Sequence, residues 1–283
     1  MPDNKIVNKK VVGTELKNSE HTFFFAKTIS ELLYQLKSVA GLTVMGALTH
    51  PESSAERIIS IRGISELANI AKHERYIDFG PGVTLSEIVS LERSKIPSVL
   101  TEAAESIANP AIRNLATLGG NICASGKRQS LYAALLALDT RLELRSNSET
   151  NFIPLRNFTT IPEGFILTNI RVPLENWDIS LFFRLGHPSK LTETSATFAF
   201  LVDTEKDTIN NIRIAFASHV AFRINDLETK LIGSRLPLLE KDFSEYLELA
   251  EKKFESQSEG IIYNTILQTQ FLNVLRYSLE QLT

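Results

Sequence analysis

The chain has 283 residues, of which 43% are hydrophobic and 22% charged, with a formal net charge of −3 and a sequence pI near 6.0. That length accommodates two or three packed subdomains, and the charge balance, with no Lys/Arg run beyond a pair, excludes nucleic acid and anionic membrane as expected partners. No apolar run approaches the roughly 20 residues that span a bilayer, the N-terminal segment lacks an apolar signal region, and a single cysteine rules out an internal disulfide or an iron–sulfur cluster held by this chain's own thiolates. The expected setting is the cytoplasm.

Residues 1–20 are polar, with Val11-Val12 readable as a short edge strand. Residues 21–25 read as a strand, 28–37 as a helix behind a Thr cap, and 41–46 as a buried strand ending at a glycine turn. With a further strand at 58–61, the order predicts a small parallel α/β unit. A strand from residue 75 then leads through Gly80-Pro81-Gly82 to Thr84 and Glu87, which are spaced as a capping box and read as scaffold. A second short helix is expected over 98–108.

The next stretch is the most informative: Pro110-Ala-Ile-Arg-Asn-Leu-Ala-Thr-Leu-Gly-Gly-Asn-Ile-Cys123. Glycine lets a backbone approach a ligand and turn its amides inward, and Thr117 and Asn121 carry short side chains suited to phosphate or ribose oxygens. The apolar run from Leu131 reads as a buried helix, so loop, paired glycines and helix start form a candidate anion cradle. Taken bare, the Gly119-Gly120 pair reads more readily as a turn than as a ligand site. Further along, 141–145 and 164–173 read as strands. A hairpin of strands at 195–202 and 212–219 around a polar turn at 203–209 follows, and helices at 225–232, 243–255 and 261–279 close the chain.

The string Pro-x-Ile-Arg-Asn-x-x-Thr-x-Gly-Gly-Asn-Ile resembles the second flavin-binding motif of the FAD-binding (medium) subunit of molybdenum hydroxylases, the xanthine dehydrogenase and carbon monoxide dehydrogenase type. The resemblance runs in order over roughly residues 20–280. It implies an α+β protein: a two-subdomain FAD-binding fold similar to p-cresol methylhydroxylase and vanillyl-alcohol oxidase, followed by a C-terminal antiparallel sheet with helices. The expected units are 1–73, 74–178 and 179–283. In the family the second motif wraps the FAD pyrophosphate and ribityl chain, and the loop after an early strand supplies the first motif. The resemblance therefore implies cofactor contacts from Val44, Met45, Gly46, Ala47, Leu48 and Thr49, and from Ile107, Ala108, Arg113, Asn114, Ala116, Thr117, Gly119, Gly120, Asn121 and Ile122. It adds Ser130, standing where family members have an Asp, Ile166 and Leu167 near the ring position, and Arg184 in place of a common Lys, where a positive charge stabilises an anionic reduced flavin.

Three of these positions depart from the family pattern in a direction that weakens binding. Ala47 replaces a glycine and adds a methyl, Leu48 cannot donate to phosphate, and Ser130 lacks the carboxylate charge. Lys127 and Arg128 either compensate or are solvated loop charges. The five histidines show no metal-ligand spacing, Cys123 reads as a small buried hydrophobe, and neither a Rossmann loop nor a P-loop is present. Two readings stand. One is an FAD-binding electron-transfer subunit, an oxidoreductase component without catalytic side chains of its own, working with iron–sulfur and molybdenum-cofactor subunits and delivering electrons to NAD⁺, a quinone or oxygen. The other is a flavin-poor scaffold subunit of the same type of complex.

Overall fold

The computed structural model describes residues 16–18, 21–47, 49, 55–124, 130–187, 192–258 and 264–283. Val11-Val12, Leu48, Lys127 and Arg128 lie outside the described residues.

The first layer is built from β1 (Leu16–Asn18), β2 (His21–Phe25), α1 (Ile29–Ser38), β3 (Leu42–Met45) and β4 (Arg57–Ser60). Its sheet has the order β1-β2-β4-β3, with β2 and β3 both parallel to the central β4, as the pattern predicts. Thr28 caps α1 by accepting from Glu31 N at 3.1 Å. Ile29, Leu32 and Leu33 then pack with Ile59, Ile61, Ile64, Leu67 and Ile166. β3 is an edge strand and only half-buried, a correction to the expected buried strand.

The second layer contains β5 (Ile70–Lys72), β6 (Tyr76–Phe79), α2 (Leu85–Ser90), α3 (Ser98–Glu105), α4 (Pro110–Arg113), α5 (Leu118–Cys123), α6 (Tyr132–Ala137), β7 (Arg141–Arg145), β8 (Thr150–Pro154) and β9 (Ile166–Pro173). The five strands form an antiparallel sheet, β5-β6-β9-β7-β8. Because β5 pairs with β6 as a hairpin, this sheet begins at residue 70, inside the segment assigned by sequence to the first unit. The capping box at Thr84 forms in both directions, Glu87 N to Thr84 Oγ1 at 3.2 Å and Thr84 N to Glu87 Oε2 at 2.7 Å. α3 stops at Glu105, short of the expected 108.

The third layer is a meander of β10 (Ile179–Leu185), β11 (Ala196–Glu205), β12 (Thr208–Ala217) and β13 (Ala221–Arg223), followed by α7 (Asn225–Leu231), α8 (Phe243–Gln257) and α9 (Asn264–Glu280). The polar run expected as a wide turn is paired ladder instead. The hairpin turns only at Lys206 and Asp207, where Lys206 takes φ +56°, and a bulge at Asp203/Thr204 absorbs the register shift. Residues along β11 sort by side. Phe198, Phe200 and Val202 face α8 and α9, whereas Ala199 and Leu201 face the second layer. The alanines on that inner face let α6 lie flat against β11 and β12, and every residue of α6 is buried. A helix apolar on all sides is required there.

The second and third layers are also joined by charge. Asp139, at φ +51° just after α6, accepts from Arg223 at 2.6 Å, Arg213 at 3.2 Å and Arg156 at 3.4 Å. Arg223 also pairs at 2.6 Å with Glu228, whose side chain is 5% exposed. Arg223→Ala leaves a buried carboxylate unpaired and is expected to lower the urea-unfolding free energy by about 3–5 kcal/mol. Arg156→Ala, at an exposed pair, is expected to cost less than about 1 kcal/mol.

Candidate functional site

A cavity of about 820 Å³ opens where the three layers meet. One wall is α1 and the edge strand β3, a second is the chain around α4 and α5, and a third is residues 158–167, with Arg184 of β10 completing the lining. A volume of this size suits a large small-molecule ligand.

The two sequence motifs meet here. A β-carbon built on Gly46 would stand 2.6 Å from Thr117 Oγ1, so the end of β3 touches the start of α5 through the space that glycine leaves. Of the expected contact residues, Val44, Met45, Gly46, Ala47, Thr49, Ile107, Ala108, Ala116, Thr117, Gly119, Gly120, Asn121, Ser130, Ile166, Leu167 and Arg184 line the cavity. Ala47 is absent from the positive-φ residues, so the backbone requires no glycine there and only the bulk of its methyl remains to matter.

Three expected residues do not line it. Ile122 is 3% exposed and sits in the main core. Asn114 ends α4 and points to solvent. Arg113 turns away and donates to main-chain carbonyls of residues 105, 107 and 108.

The anion cradle is also corrected. Gly119 and Gly120 do not precede a helix but lie in the first turn of α5, capped by Thr117. Its leading amides are all engaged within the protein: Leu118 N with Val83 O at 2.8 Å, Gly119 N with Pro81 O at 2.9 Å, and Asn121 N with Thr117 O at 3.0 Å. Gly120 N donates to Thr117 Oγ1 at 3.0 Å. Thr117 thus spends its oxygen as a cap. Asn121 accepts from Leu131 N at 3.2 Å through Oδ1, which leaves its Nδ2 donors unused by that bond. The two glycines differ in purpose. A β-carbon on Gly119 would lie 2.4 Å from Pro81 Cβ, whereas on Gly120 it would meet only Thr117 Oγ1, at 2.9 Å, and otherwise open space.

Arg184 is the cation of the wall. It donates to Ser106 O at 2.5 Å, has no carboxylate partner among the described residues, and burial lowers its pKa from the ordinary arginine value. A guanidinium in that setting remains charged and favours an electron-rich or anionic ligand. Cys123 is exposed and lies on the cavity lining, and desolvation pushes its thiol up to about 12. The wall at 158–165 was missed in the sequence. Pro162 and Gly164, which takes φ +77°, were the available turn signal. No cluster of His, Cys, Asp or Glu suited to a metal occurs among the described residues, and no helix among them is long and apolar enough to cross a membrane.

A family model described as the FAD binding domain in molybdopterin dehydrogenase matches residues 19–175. The chain is 31% identical over 189 residues to the xanthine dehydrogenase FAD-binding subunit of Escherichia coli O157:H7, a match covering 65% of this chain and 61% of that one. It is 28% identical over 209 residues to the 6-hydroxypseudooxynicotine dehydrogenase complex subunit alpha of Paenarthrobacter nicotinovorans, covering 69% and 70%. In fold it is similar to a chain of the carbon monoxide dehydrogenase from Hydrogenophaga pseudoflava, with a TM-score of 0.78 at 18% identity over 95% of this chain and 100% of that one.

The site's geometry predicts a split between the glycines. Gly119→Ala overpacks against Pro81 and is expected to lose about 1–3 kcal/mol in urea unfolding, with Gly120→Ala losing clearly less. Alkylation of Cys123 is expected to be slow at neutral pH and to climb about tenfold per pH unit, still without a plateau at about pH 10, where an ordinary thiol levels off.

Proposed function

The chain belongs to the family of FAD-binding domains of molybdopterin dehydrogenases, and from that premise we propose that it is the flavoprotein component of a multi-subunit molybdenum hydroxylase. In this reading it is an oxidoreductase subunit that acts in the cytoplasm, holds FAD, and does not itself oxidise the organic substrate. What supports the reading most is that two loops far apart in sequence meet through Gly46 and Thr117 at one cavity with a cationic wall. Bound FAD would supply the redox chemistry, linking an iron–sulfur subunit, itself served by a molybdenum-cofactor subunit, to an acceptor such as NAD⁺.

The chain's own residues bind and orient. Gly120 is exposed, and its missing side chain keeps the cavity floor low. The β3 edge offers main-chain groups that no neighbouring strand among the described residues uses, and Asn121 offers its Nδ2 donors. Ile166 and Leu167, 2% and 5% exposed, form an apolar wall that keeps water from a ring system. Arg184 holds positive charge against electron density on that ring. The residues present fit the group.

The scaffold reading has its own support: the α5 amides are consumed internally, and Ser130 brings no charge. A fluorescence-quenching titration with FAD, with FMN as control, separates the two. The flavoprotein reading expects saturable FAD binding, weakened by about tenfold or more, a 1.4 kcal/mol loss, in Gly120→Val at little change in melting temperature. Bound FAD is also expected to shield Cys123 from alkylation. A folded, monodisperse chain that takes up no FAD, alone or with its iron–sulfur partner, would establish the scaffold reading instead.

A further inference from the structure

Residues 105–108 form the link between α3 and α4, and their carbonyls are all claimed by arginines. Arg113 Nη1 donates to Glu105 O at 3.1 Å, Ile107 O at 2.8 Å and Ala108 O at 3.1 Å. From the other direction, Arg184 Nη1 donates to Ser106 O at 2.5 Å. Ala108 is held at φ +46°, a conformation that costs any residue with a β-carbon.

The peptide unit is planar and trans, so a carbonyl and the following N–H point in opposite directions. The Ile107 carbonyl points at Arg113, which lies off the cavity, whereas Ile107 and Ala108 line it. The Ala108 N–H therefore points away from Arg113, at a residue that lines the cavity. It has no hydrogen-bond partner among the described residues, while the two amides before it are bonded back to α3, Ser106 N to Glu102 O at 3.0 Å and Ile107 N to Ala104 O at 3.2 Å.

We propose that Arg113 and Arg184 are positioning residues that grip this link from two sides, turn its carbonyls out of the cavity, and aim the Ala108 amide at an acceptor atom of the bound flavin. The inference rests on the flavin reading above. It assigns Arg113 an indirect role: the guanidinium never touches the ligand but sets the polarity of the wall that does. An acceptor-rich ring meets a main-chain donor and the Arg184 cation there, and no carbonyl lone pairs. It also gives a reason for a permanent cation at 113, since the two N–H bonds of Arg113 Nη1, at least one of them shared, serve three carbonyls.

The test uses the whole chain selectively labelled with ¹⁵N-alanine. The Ala108 amide resonance, identified by its loss in Ala108→Gly, is expected to shift and to become protected from hydrogen exchange when FAD is added. Arg113→Met is expected to weaken FAD binding by about tenfold, as one lost, well-aimed hydrogen bond does, and to change the visible spectrum of the bound flavin. Combining it with Ala108→Gly should restore most of both, because glycine holds a positive φ without the grip. FAD binding with an unmoved Ala108 resonance, or an Arg113→Met protein that binds FAD with wild-type affinity and spectrum, would overturn the inference alone. A wild-type chain that binds no FAD would overturn the functional reading and this inference with it.

Discussion

Gly119 N reaches Pro81 O at 2.9 Å, and the space where a β-carbon would stand at Gly119 is filled by the proline ring. That contact seats the start of α5 on the Gly80-Pro81-Gly82 turn. The turn is itself pinned, Gly80 N to Asn69 O at 2.8 Å and Gly82 N to Leu67 O at 2.7 Å. From this seat Thr117 projects to meet Gly46, which fixes the first sheet against the second layer. Each step depends on a missing methyl group. Interiors are packed too closely to absorb even one extra carbon without movement, so the cavity takes its shape from Gly46, Gly80, Gly82 and Gly119, where the chain has no side chain.

The third layer acts on the site from behind. Its inner face is kept thin by Ala199, Ala215 and Ala217, which lets α6 settle between the two sheets. The same sheet carries Arg184 on β10 to the cavity, where it takes the Ser106 carbonyl of the second layer. The Asp139–Arg223–Glu228 cluster locks the far end of that interface. The position of the cationic wall is thereby a property of the packed core, and a loss of layer contact would be felt at the ligand.

Much of this was legible in the sequence because the patterns report backbone geometry directly. The Thr84–Glu87 capping box, the Thr28 cap and the alternation along β7 follow from short-range rules, and the structure carries all of them. What escaped was whatever depends on which neighbour fills a space. A glycine pair beside a Thr looks the same whether the absent β-carbon admits a phosphate or a proline, and here Gly119 admits Pro81. Arg113 reads as a cofactor contact until the carbonyls around it are seen. The run at 203–209 looked like a loop because it is polar, yet polar residues at a solvent-facing hairpin end still pair. The hairpin partner of β5 lies across the expected boundary at 73/74, and no local signal in Ile70-Ala-Lys72 announces it.

The departure from the family pattern at Ala47 weighs less once the geometry is known. Replacing a glycine by Ala47 would matter most if the backbone there needed a positive φ, and it does not. The helix start that the motif brings to mind as a phosphate cradle has no free amide to lose, so the burden of binding falls elsewhere. In the flavin reading proposed above it falls on main-chain donors at the β3 edge and Ala108, on Asn121, and on the Arg184 charge. Main-chain donors are indifferent to side-chain identity provided their conformation is held, and the groups that hold it are Gly46, Thr117 and Arg113. Here Ala47 and Ser130 are altered from the family's pattern, while the Arg113, Thr117 and Gly119 framework is intact.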